Sequence, residues 1–531
     1  MLLSEIKIRL LEYFPAVFTG FLLSVAFPEI NFSAIVWTAL VPLMVSISTM
    51  DIKRAFFTGL AAGMSFFIFL IHWIVPTLDI YGQLPIYFSV PILFLLTFYL
   101  GLYTAIFALC FKLLKKNSII MPFQAASLWV GLEYLRSFLL TGFPWGILGY
   151  SQYKNLHIIQ IADITGVYGV SFLIVMANGV LFMVWMTFFS SPKFGQCRQK
   201  YVKNPFKIKK TISALLCFLF IMSVTLYYGV RRLNAINKTD KNSDMVKVAV
   251  IQGNINQSVK WNNSFKKVSV KKYCRLSKQA SLKNPDLIVW PETALPFYFP
   301  VDRKFSCIVN KCIKNSRAAF LIGSPAFRRD KGELKFFNRA YMVNRQAVIT
   351  GEYDKVHLVP FGEYVPFGKY LAFLGKLTAQ AGDFSSGKKD FIPLKFKDKK
   401  AGILICFEVI FPDLARKFVN NGADILVTIT NDAWFGRTSA PFQHFSICAF
   451  RAVENRRSLA RAANTGISGF ISPTGDILIT SSLYKEKFLA EKLPCLKIKT
   501  VYTRYGDLFA LICLIAIPVI FMINKRKQLK I

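Results

Sequence analysis

Acidic residues, histidines and paired cysteines are scarce in this sequence. Only 29 Asp and Glu residues accompany 66 Lys and Arg, and there are four histidines. The histidines are scattered without an HExxH segment, so we expect no zinc site, no other metal and no cofactor. The ten cysteines include no CxxC pair. Their spacing and the length of the chain exclude a small disulfide framework.

The shortage of acidic residues leaves a formal net charge of +37. Such an excess first suggests a nucleic-acid partner. Here the basic residues are dispersed, and many flank apolar runs, so attraction to anionic lipid explains them better. A general lysine bias of the genome is an alternative. We expect a membrane partner and no nucleic acid.

Apolar residues make up 54% of the chain, and mean hydropathy is +0.41. The excess falls in long runs before residue 230 and in one run near the C-terminus. About 20 apolar residues cross a bilayer as a helix. The eight candidate spans are Tyr13–Phe27, Phe32–Ile47, Ala55–Val75, Ile86–Leu113, Ser118–Leu140, Val167–Phe189, Thr211–Tyr228 and Leu508–Ile523.

These spans predict three domains and an orientation. Residues 1–230 form a seven-helix membrane domain, 231–505 a large domain outside the cytoplasm, and 506–531 a last helix with a basic tail. The short loops that are rich in Lys and Arg all fall on one side of the predicted membrane, which the positive-inside rule makes cytoplasmic. Both termini then lie inside.

The large domain has an α/β pattern, in which short apolar runs alternate with helical segments. Strands buried on both faces give such near-continuous apolar runs in layered sheets. The predicted strands are Val246–Ile255, Leu287–Trp290, Ala319–Ile322, Ala340–Val343, Ile403–Cys406 and Ile425–Thr430. Helical patterns cover Phe411–Asn420 and His444–Arg457.

Three segments of this domain have residues suited to nucleophilic catalysis. Glu292 follows a predicted strand in Val289-Trp-Pro-Glu-Thr-Ala294, Lys355 lies in Tyr353-Asp-Lys-Val-His357, and Cys406 ends an apolar strand. A thiol attacks as a thiolate. A carboxylate can take its proton, and a fixed ammonium can stabilise the thiolate and the oxyanion.

Each of these residues also has a purely structural interpretation. A cysteine that ends an apolar strand is most often a core residue, a glutamate after proline usually lies on the surface or caps a helix, and a loop lysine is usually solvated. The catalytic hypothesis therefore depends on all three contexts occurring together and in order.

Taken together, the three segments resemble the Glu-Lys-Cys triad of the nitrilase superfamily. The membrane layout narrows the resemblance to the apolipoprotein N-acyltransferase family, and it extends over nearly the whole chain. The further matching motifs are Gln252-Gly-Asn-Ile255 with Trp261 downstream, Pro360-Phe-Gly-Glu-Tyr-Val-Pro366, Asn431-Asp-Ala-Trp-Phe-Gly436 and Thr141-Gly-Phe-Pro-Trp145.

The resemblance implies a multi-pass α-helical membrane domain of about eight helices and a nitrilase-like α-β-β-α sandwich. It makes Glu292 the general base, Lys355 the cation that stabilises the oxyanion, and Cys406 the nucleophile. The residues that match supporting or substrate-binding positions are Glu363, Glu408, Asn338, Trp261, Trp434 and Phe407. Many relatives have Tyr where this chain has Phe407, so any role of that hydroxyl is lost.

The same resemblance implies a phospholipid acyl donor, a diacylglyceryl apolipoprotein acceptor and a thioester on Cys406. It places the protein in the bacterial inner membrane with the catalytic domain on the periplasmic side, and we expect a monomer. A membrane-tethered amidase is the alternative enzyme. A third hypothesis is a transporter or receptor with a degenerate nitrilase-like domain, and this hypothesis predicts a broken triad. Glu133 and Arg136, within the fifth span, could be functional or a structural ion pair.

Overall fold

The computed structural model describes residues 2–114, 118–189, 205–241, 243–257, 260–261, 263–330, 332–364 and 384–528. The chain divides into two compact units. The first comprises Met1–His72, Val90–Arg231 and Asp507–Ile531, and the second comprises Trp73–Ser89 and Arg232–Gly506. The sequence-based boundaries had assigned residues 73–89 to the N-terminal domain. Residues 365–366 of one predicted motif lie outside the described residues.

Outside the α/β fold, the described chain forms eight helices of nine or more residues. Their bounds are Leu2–Val25, Val41–Thr49, Ile52–Ile71, Ile86–Leu113, Met121–Arg136, Val167–Phe188, Pro205–Lys241 and Leu508–Gln528. Within the described residues, four segments are long and apolar enough to cross a membrane, namely Ile52–Ile71, Ile86–Leu113, Val167–Phe188 and Phe206–Asp240. The expected helical region of about eight helices is confirmed in outline.

Two glycines allow close helix packing in the first unit. Gly59 and Gly63 are four residues apart on one face of Ile52–Ile71. A Cβ on Gly59 would lie 2.5 Å from the Ala108 Cβ, and one on Gly63 would lie 2.7 Å from the Gly101 Cα. Small residues at this spacing allow helix backbones to approach in a membrane, where van der Waals packing drives association.

Glu133 and Arg136 are both buried, and each forms hydrogen bonds with main-chain groups of the following loop. The Arg136 guanidinium donates to the carbonyl oxygens of Phe143 at 3.0 Å and Trp145 at 2.5 Å. The Glu133 Oε1 accepts from the N–H of Leu148 at 2.9 Å. The two side chains therefore hold the Thr141–Trp145 motif against the helix Met121–Arg136.

Over its described residues, the second unit contains twelve strands. Their bounds are β1 (Met245–Gln252), β2 (Leu287–Val289), β3 (Ala319–Asp330), β4 (Glu333–Val343), β5 (Ile349–Asp354), β6 (Leu394–Phe396), β7 (Lys399–Ile405), β8 (Ile425–Thr430), β9 (Leu459–Ala463), β10 (Gly469–Ile471), β11 (Ile477–Thr480) and β12 (Lys487–Pro494). They form two six-stranded sheets, in the orders β12-β1-β2-β3-β4-β5 and β11-β10-β9-β8-β7-β6. In each sheet three neighbouring strands are parallel, β1 to β3 and β7 to β9.

The two sheets face each other through β1 and β9, and helices cover their outer faces. Asn263–Ser281 and Arg303–Lys314 lie on the first sheet, and Pro412–Asn420 and Ala440–Asn455 on the second. Every residue of β8 is buried, as expected for a strand covered on both faces. The α-β-β-α layering predicted by resemblance is confirmed.

Candidate active site

Glu292 lies just beyond the carboxyl end of β2 and is 6% exposed. Its Oε1 accepts from the Asn338 Nδ2 at 2.7 Å, and its Oε2 accepts from the N–H of Asn431 at 2.8 Å. Asn338 is on β4 of the first sheet, and Asn431 follows β8 of the second. Glu292 thereby joins the two sheets at one edge, with both carboxylate oxygens fixed.

Lys355 directly follows β5, and its side chain is 1% exposed. Its Nζ lies 2.8 Å from the Glu363 Oε2 and 3.6 Å from the Glu292 Oε1. The Asn338 Nδ2 also donates to the Glu363 Oε1 at 3.0 Å. These four predicted site residues therefore form one buried network, with the ammonium between two carboxylates.

Cys406 follows β7 and begins a 3₁₀ turn that runs to Ile410. Its φ is 54°, in the left-handed region that side chains with a Cβ rarely occupy. Such conformations persist only when the surroundings over-determine them, and they cluster at functional sites. The half-buried thiol lies within electrostatic range of both Glu292 and Lys355.

Burial and the neighbouring charges shift the pKa values of Cys406 and Lys355. Burial and the Glu292 charge raise the pKa of the Cys406 thiol, although Lys355 opposes them. Burial lowers the pKa of Lys355, but Glu363 and Glu292 outweigh it, so that pKa lies above its ordinary value. At neutral pH the resting site therefore holds an ammonium and a neutral thiol, which needs a base at the moment of attack.

Glu408 is fully buried and ties the Lys355 loop to the Cys406 strand. Its Oε1 accepts from the Tyr353 hydroxyl at 2.9 Å and from the N–H of Val356 at 2.7 Å. Its Oε2 accepts from the N–H of Ile405 at 2.8 Å. Burial raises the pKa of Glu408 to about 7, against the opposing effect of the backbone donors. Its position is that of a support for the site.

The three predicted aromatic positions differ in exposure. Trp261 is 46% exposed, whereas Trp434 and Phe407 are half-buried. The Trp434 ring lies edge-on to Tyr81, with 6.4 Å between centroids. The Phe407 ring packs on Phe411 with centroids 5.4 Å apart. Phe407 thus has an aromatic packing role.

Two further residues lie at or next to Glu292 and were not among the predicted site residues. Asn431 supplies the N–H that fixes Glu292. The Lys260 Nζ donates to the Thr293 Oγ1 at 2.7 Å, beside Glu292, and the lysine is 2% exposed. Burial lowers the pKa of Lys260 to about 8, although Glu292 opposes the shift. Asn431 is the first residue of the Asn431–Gly436 motif, and Lys260 directly precedes Trp261.

A second buried polar cluster contacts the main chain at Cys406. The His444 Nε2 is 3.2 Å from the carbonyl oxygen of Cys406, and its Nδ1 is 3.1 Å from the Asp432 Oδ1. The Arg461 Nη2 lies 2.7 Å from the Asp432 Oδ2 and 2.9 Å from the His444 Nδ1. None of the three residues is more than 1% exposed. Asp432 lies in the Asn431–Gly436 motif, whereas His444 and Arg461 lie in no motif noted in the sequence.

Comparisons with known proteins agree with this architecture. The family model described as the apolipoprotein N-acyltransferase N-terminal domain matches residues 19–180, and the carbon-nitrogen hydrolase model matches residues 247–495. Among solved structures, a carbon-nitrogen hydrolase from Helicobacter pylori is 18% identical and covers 50% of this chain and 94% of its own, with a TM-score of 0.38.

Curated relatives match over almost the full chain. An apolipoprotein N-acyltransferase from Geobacter metallireducens is 41% identical over 518 residues, which is 97% of this chain and 96% of the relative. An apolipoprotein N-acyltransferase from Pasteurella multocida is 29% identical, over 95% of this chain and 94% of the relative. On the strength of this near-complete coverage, the chain belongs to the apolipoprotein N-acyltransferase family.

Proposed function

We propose that this protein transfers a fatty acyl chain from a phospholipid to the α-amine of the N-terminal diacylglyceryl-cysteine of apolipoproteins. The observation that supports this most is the buried Glu292–Lys355–Glu363 network beside Cys406, in a chain that also has apolar helices long enough to cross a membrane. Membership of the family favours this activity over that of a tethered amidase, because the relatives named above are N-acyltransferases.

In the first half-reaction, the Cys406 sulfur attacks the carbonyl carbon of a phospholipid acyl ester. Glu292 takes the thiol proton as the carbon–sulfur bond forms. Lys355, together with the N–H of Phe407, stabilises the oxyanion. Collapse of the intermediate breaks the ester bond, and Glu292 returns the proton to the lysophospholipid oxygen. A thioester on Cys406 remains.

In the second half-reaction, the α-amine of the acceptor attacks the thioester carbonyl. Glu292 accepts the proton of the amine, the carbon–sulfur bond breaks, and the Cys406 thiol is restored by that proton. Amines attack thioesters readily, but water would hydrolyse the same thioester. The site must therefore exclude water while the acyl-enzyme is present. The half-buried Trp434 and the exposed Trp261 are assigned to the substrate entrance.

The setting proposed for this chemistry is the bacterial inner membrane, with residues 231–505 on the periplasmic side and both termini in the cytoplasm. The loop-charge asymmetry of the sequence supports that orientation. A single chain supplies every group that the two half-reactions use, which supports a monomer.

The test is intact-mass spectrometry of the purified protein incubated with phosphatidylethanolamine alone. Wild type should gain one fatty acyl mass that neutral hydroxylamine removes, and Cys406→Ser should gain no hydroxylamine-sensitive adduct. A diacylated lipopeptide should then clear the adduct and become triacylated. Hydrolysis of a small amide without any adduct would favour the amidase instead.

A further inference from the structure

The main-chain carbonyl of the nucleophile is held by a buried histidine. Cys406 adopts a left-handed φ of 54°, and its carbonyl oxygen lies 3.2 Å from the His444 Nε2. A carbonyl oxygen can only accept, so Nε2 must donate and must bear the ring proton. His444 reaches this carbonyl from the helix Ala440–Asn455, an element separate from the strand and turn that contain Cys406.

The other side of the ring shows how this protonation state is maintained. The Arg461 guanidinium has only donors and faces the His444 Nδ1 at 2.9 Å, so the Nδ1 can accept while it bears no proton. The Asp432 Oδ2 balances the Arg461 charge at 2.7 Å. The Asp432 Oδ1 also lies 3.1 Å from the His444 Nδ1, but this oxygen accepts from the Thr430 hydroxyl at 2.8 Å and therefore does not require a proton on Nδ1. Burial, together with the Arg461 charge, holds the pKa of His444 below its ordinary value.

The sharp backbone turn at Cys406, here called the elbow, leads from β7 into the 3₁₀ turn and needs support from a neighbouring residue. A residue with a Cβ at positive φ is strained and returns to a relaxed conformation unless its neighbours hold it. The direction of the Cys406 Cα–Cβ bond, and hence the position of the sulfur relative to Glu292 and Lys355, follows from that backbone conformation. A small displacement of a reacting atom is enough to slow an enzymatic step substantially.

We propose that His444 is a positioning residue, which fixes the Cys406 elbow through its Nε2–H while Arg461 and Asp432 hold the ring as that neutral tautomer. The inference rests on the proposed function in one respect, namely that Cys406 is the acyl carrier. His444 itself touches no reacting atom. Its removal should therefore lower the rate of acylation and leave phospholipid binding nearly unchanged.

The experiment compares His444→Leu and His444→Gln in the full-length protein with phosphatidylethanolamine. Leucine removes the donor, and the glutamine amide can restore an N–H near the position of Nε2. Acyl-enzyme formation should slow by about tenfold or more in His444→Leu, with KM within about twofold, and His444→Gln should recover most of the rate. Equal rates in wild type and folded His444→Leu, or no recovery in His444→Gln, would overturn the inference.

Ser458→Ala provides the matched control. The Ser458 hydroxyl is fully buried and donates to the carbonyl of Pro494 at 2.7 Å. Ser458 lies at the amino end of β9, whereas Cys406 lies at the carboxyl end of the parallel strand β7, so the two residues are at opposite ends of the strands. This variant loses a buried hydrogen bond as well, and its acylation rate should equal that of wild type. A slowing equal to that of His444→Leu would mean that any loss of stability impairs the site.

Two measurements separate this inference from the proposed function. The rate at which iodoacetamide alkylates Cys406, followed by peptide mass spectrometry, depends on the position of the thiol and needs no lipid. This rate should also fall in His444→Leu. Nitrogen NMR of the four labelled histidines should show His444 protonated on Nε2 alone at neutral pH. A doubly protonated or Nδ1-protonated ring would overturn the inference, even where wild type forms the acyl-enzyme. If wild type forms no adduct while these results hold, the proposed function alone fails.

Discussion

Each of the two units buries a glutamate and a basic residue, and their surroundings differ. In the first unit, Glu133 and Arg136 form hydrogen bonds with main-chain groups of the loop that follows their own helix. In the second, Glu292 and Lys355 contact each other and the side chains of Asn338 and Glu363, beside a cysteine. Buried charge alone therefore does not identify a catalytic site. The partners distinguish a structural clamp from a reactive cluster.

The largest effect that would test this comparison is expected from Glu292→Gln. Glutamine keeps the size of the side chain but cannot take a proton from the thiol. It also places an amide against the two N–H donors of Asn338 and Asn431. Acyl-enzyme formation should fall by about a thousandfold. Glu486→Gln, which alters a surface ion pair with Lys272, is the control. A loss smaller than tenfold in Glu292→Gln would remove Glu292 as the base.

A smaller effect is expected from Lys260→Met, which should slow acylation by about tenfold by removing a positive charge beside Glu292. The pKa of Lys260 is lowered to about 8, so wild type should lose this contribution as pH rises through 8. The pKa values of Lys355 and the Cys406 thiol lie above their ordinary ranges and do not interfere.

The pH profile of acylation checks this assignment. The decline near pH 8 should be absent in Lys260→Met, and Lys260→Arg should retain the rate and move the decline to higher pH, because arginine stays charged. The same decline in all three proteins would show that another group titrates there.

The smallest effect on chemistry is expected in the first unit. Arg136→Gln leaves the Phe143 and Trp145 carbonyls without their donor, and the free energy of unfolding should fall by about 2 kcal/mol. The rate of Cys406 alkylation should stay within about twofold of wild type. Thermal unfolding in detergent measures the first quantity, and Arg54→Gln, at an exposed arginine of the same unit, should show no loss. A slowed alkylation in Arg136→Gln would link the clamp to the site.

The sequence predicted the layered α/β fold well where strands are buried on both faces. The prediction for β8, Ile425–Thr430, matches the structure residue for residue, because nothing interrupts its apolar run. Only Ala319–Ile322 was predicted of β3, although this strand continues to Asp330. Residues 323–326 are buried but include Gly323 and Pro325, and residues 327–329 are exposed. The pairing of this part with β4 therefore follows from the register of the hairpin and leaves no apolar pattern to detect.

The sequence by itself determined the residue types and their order: a glutamate and a cysteine at the ends of predicted strands, with a lysine between them, within a chain of apolar spans. Only the tertiary structure decided what surrounds them. The contacts that bring Lys260, Asn431 and His444 to the site join residues far apart in the chain. They span 33 positions for Lys260 with Thr293, 139 for Asn431 with Glu292, and 38 for His444 with Cys406. Such contacts depend on which strand ends meet at one edge, and that is fixed by packing of the two sheets, which no local pattern encodes.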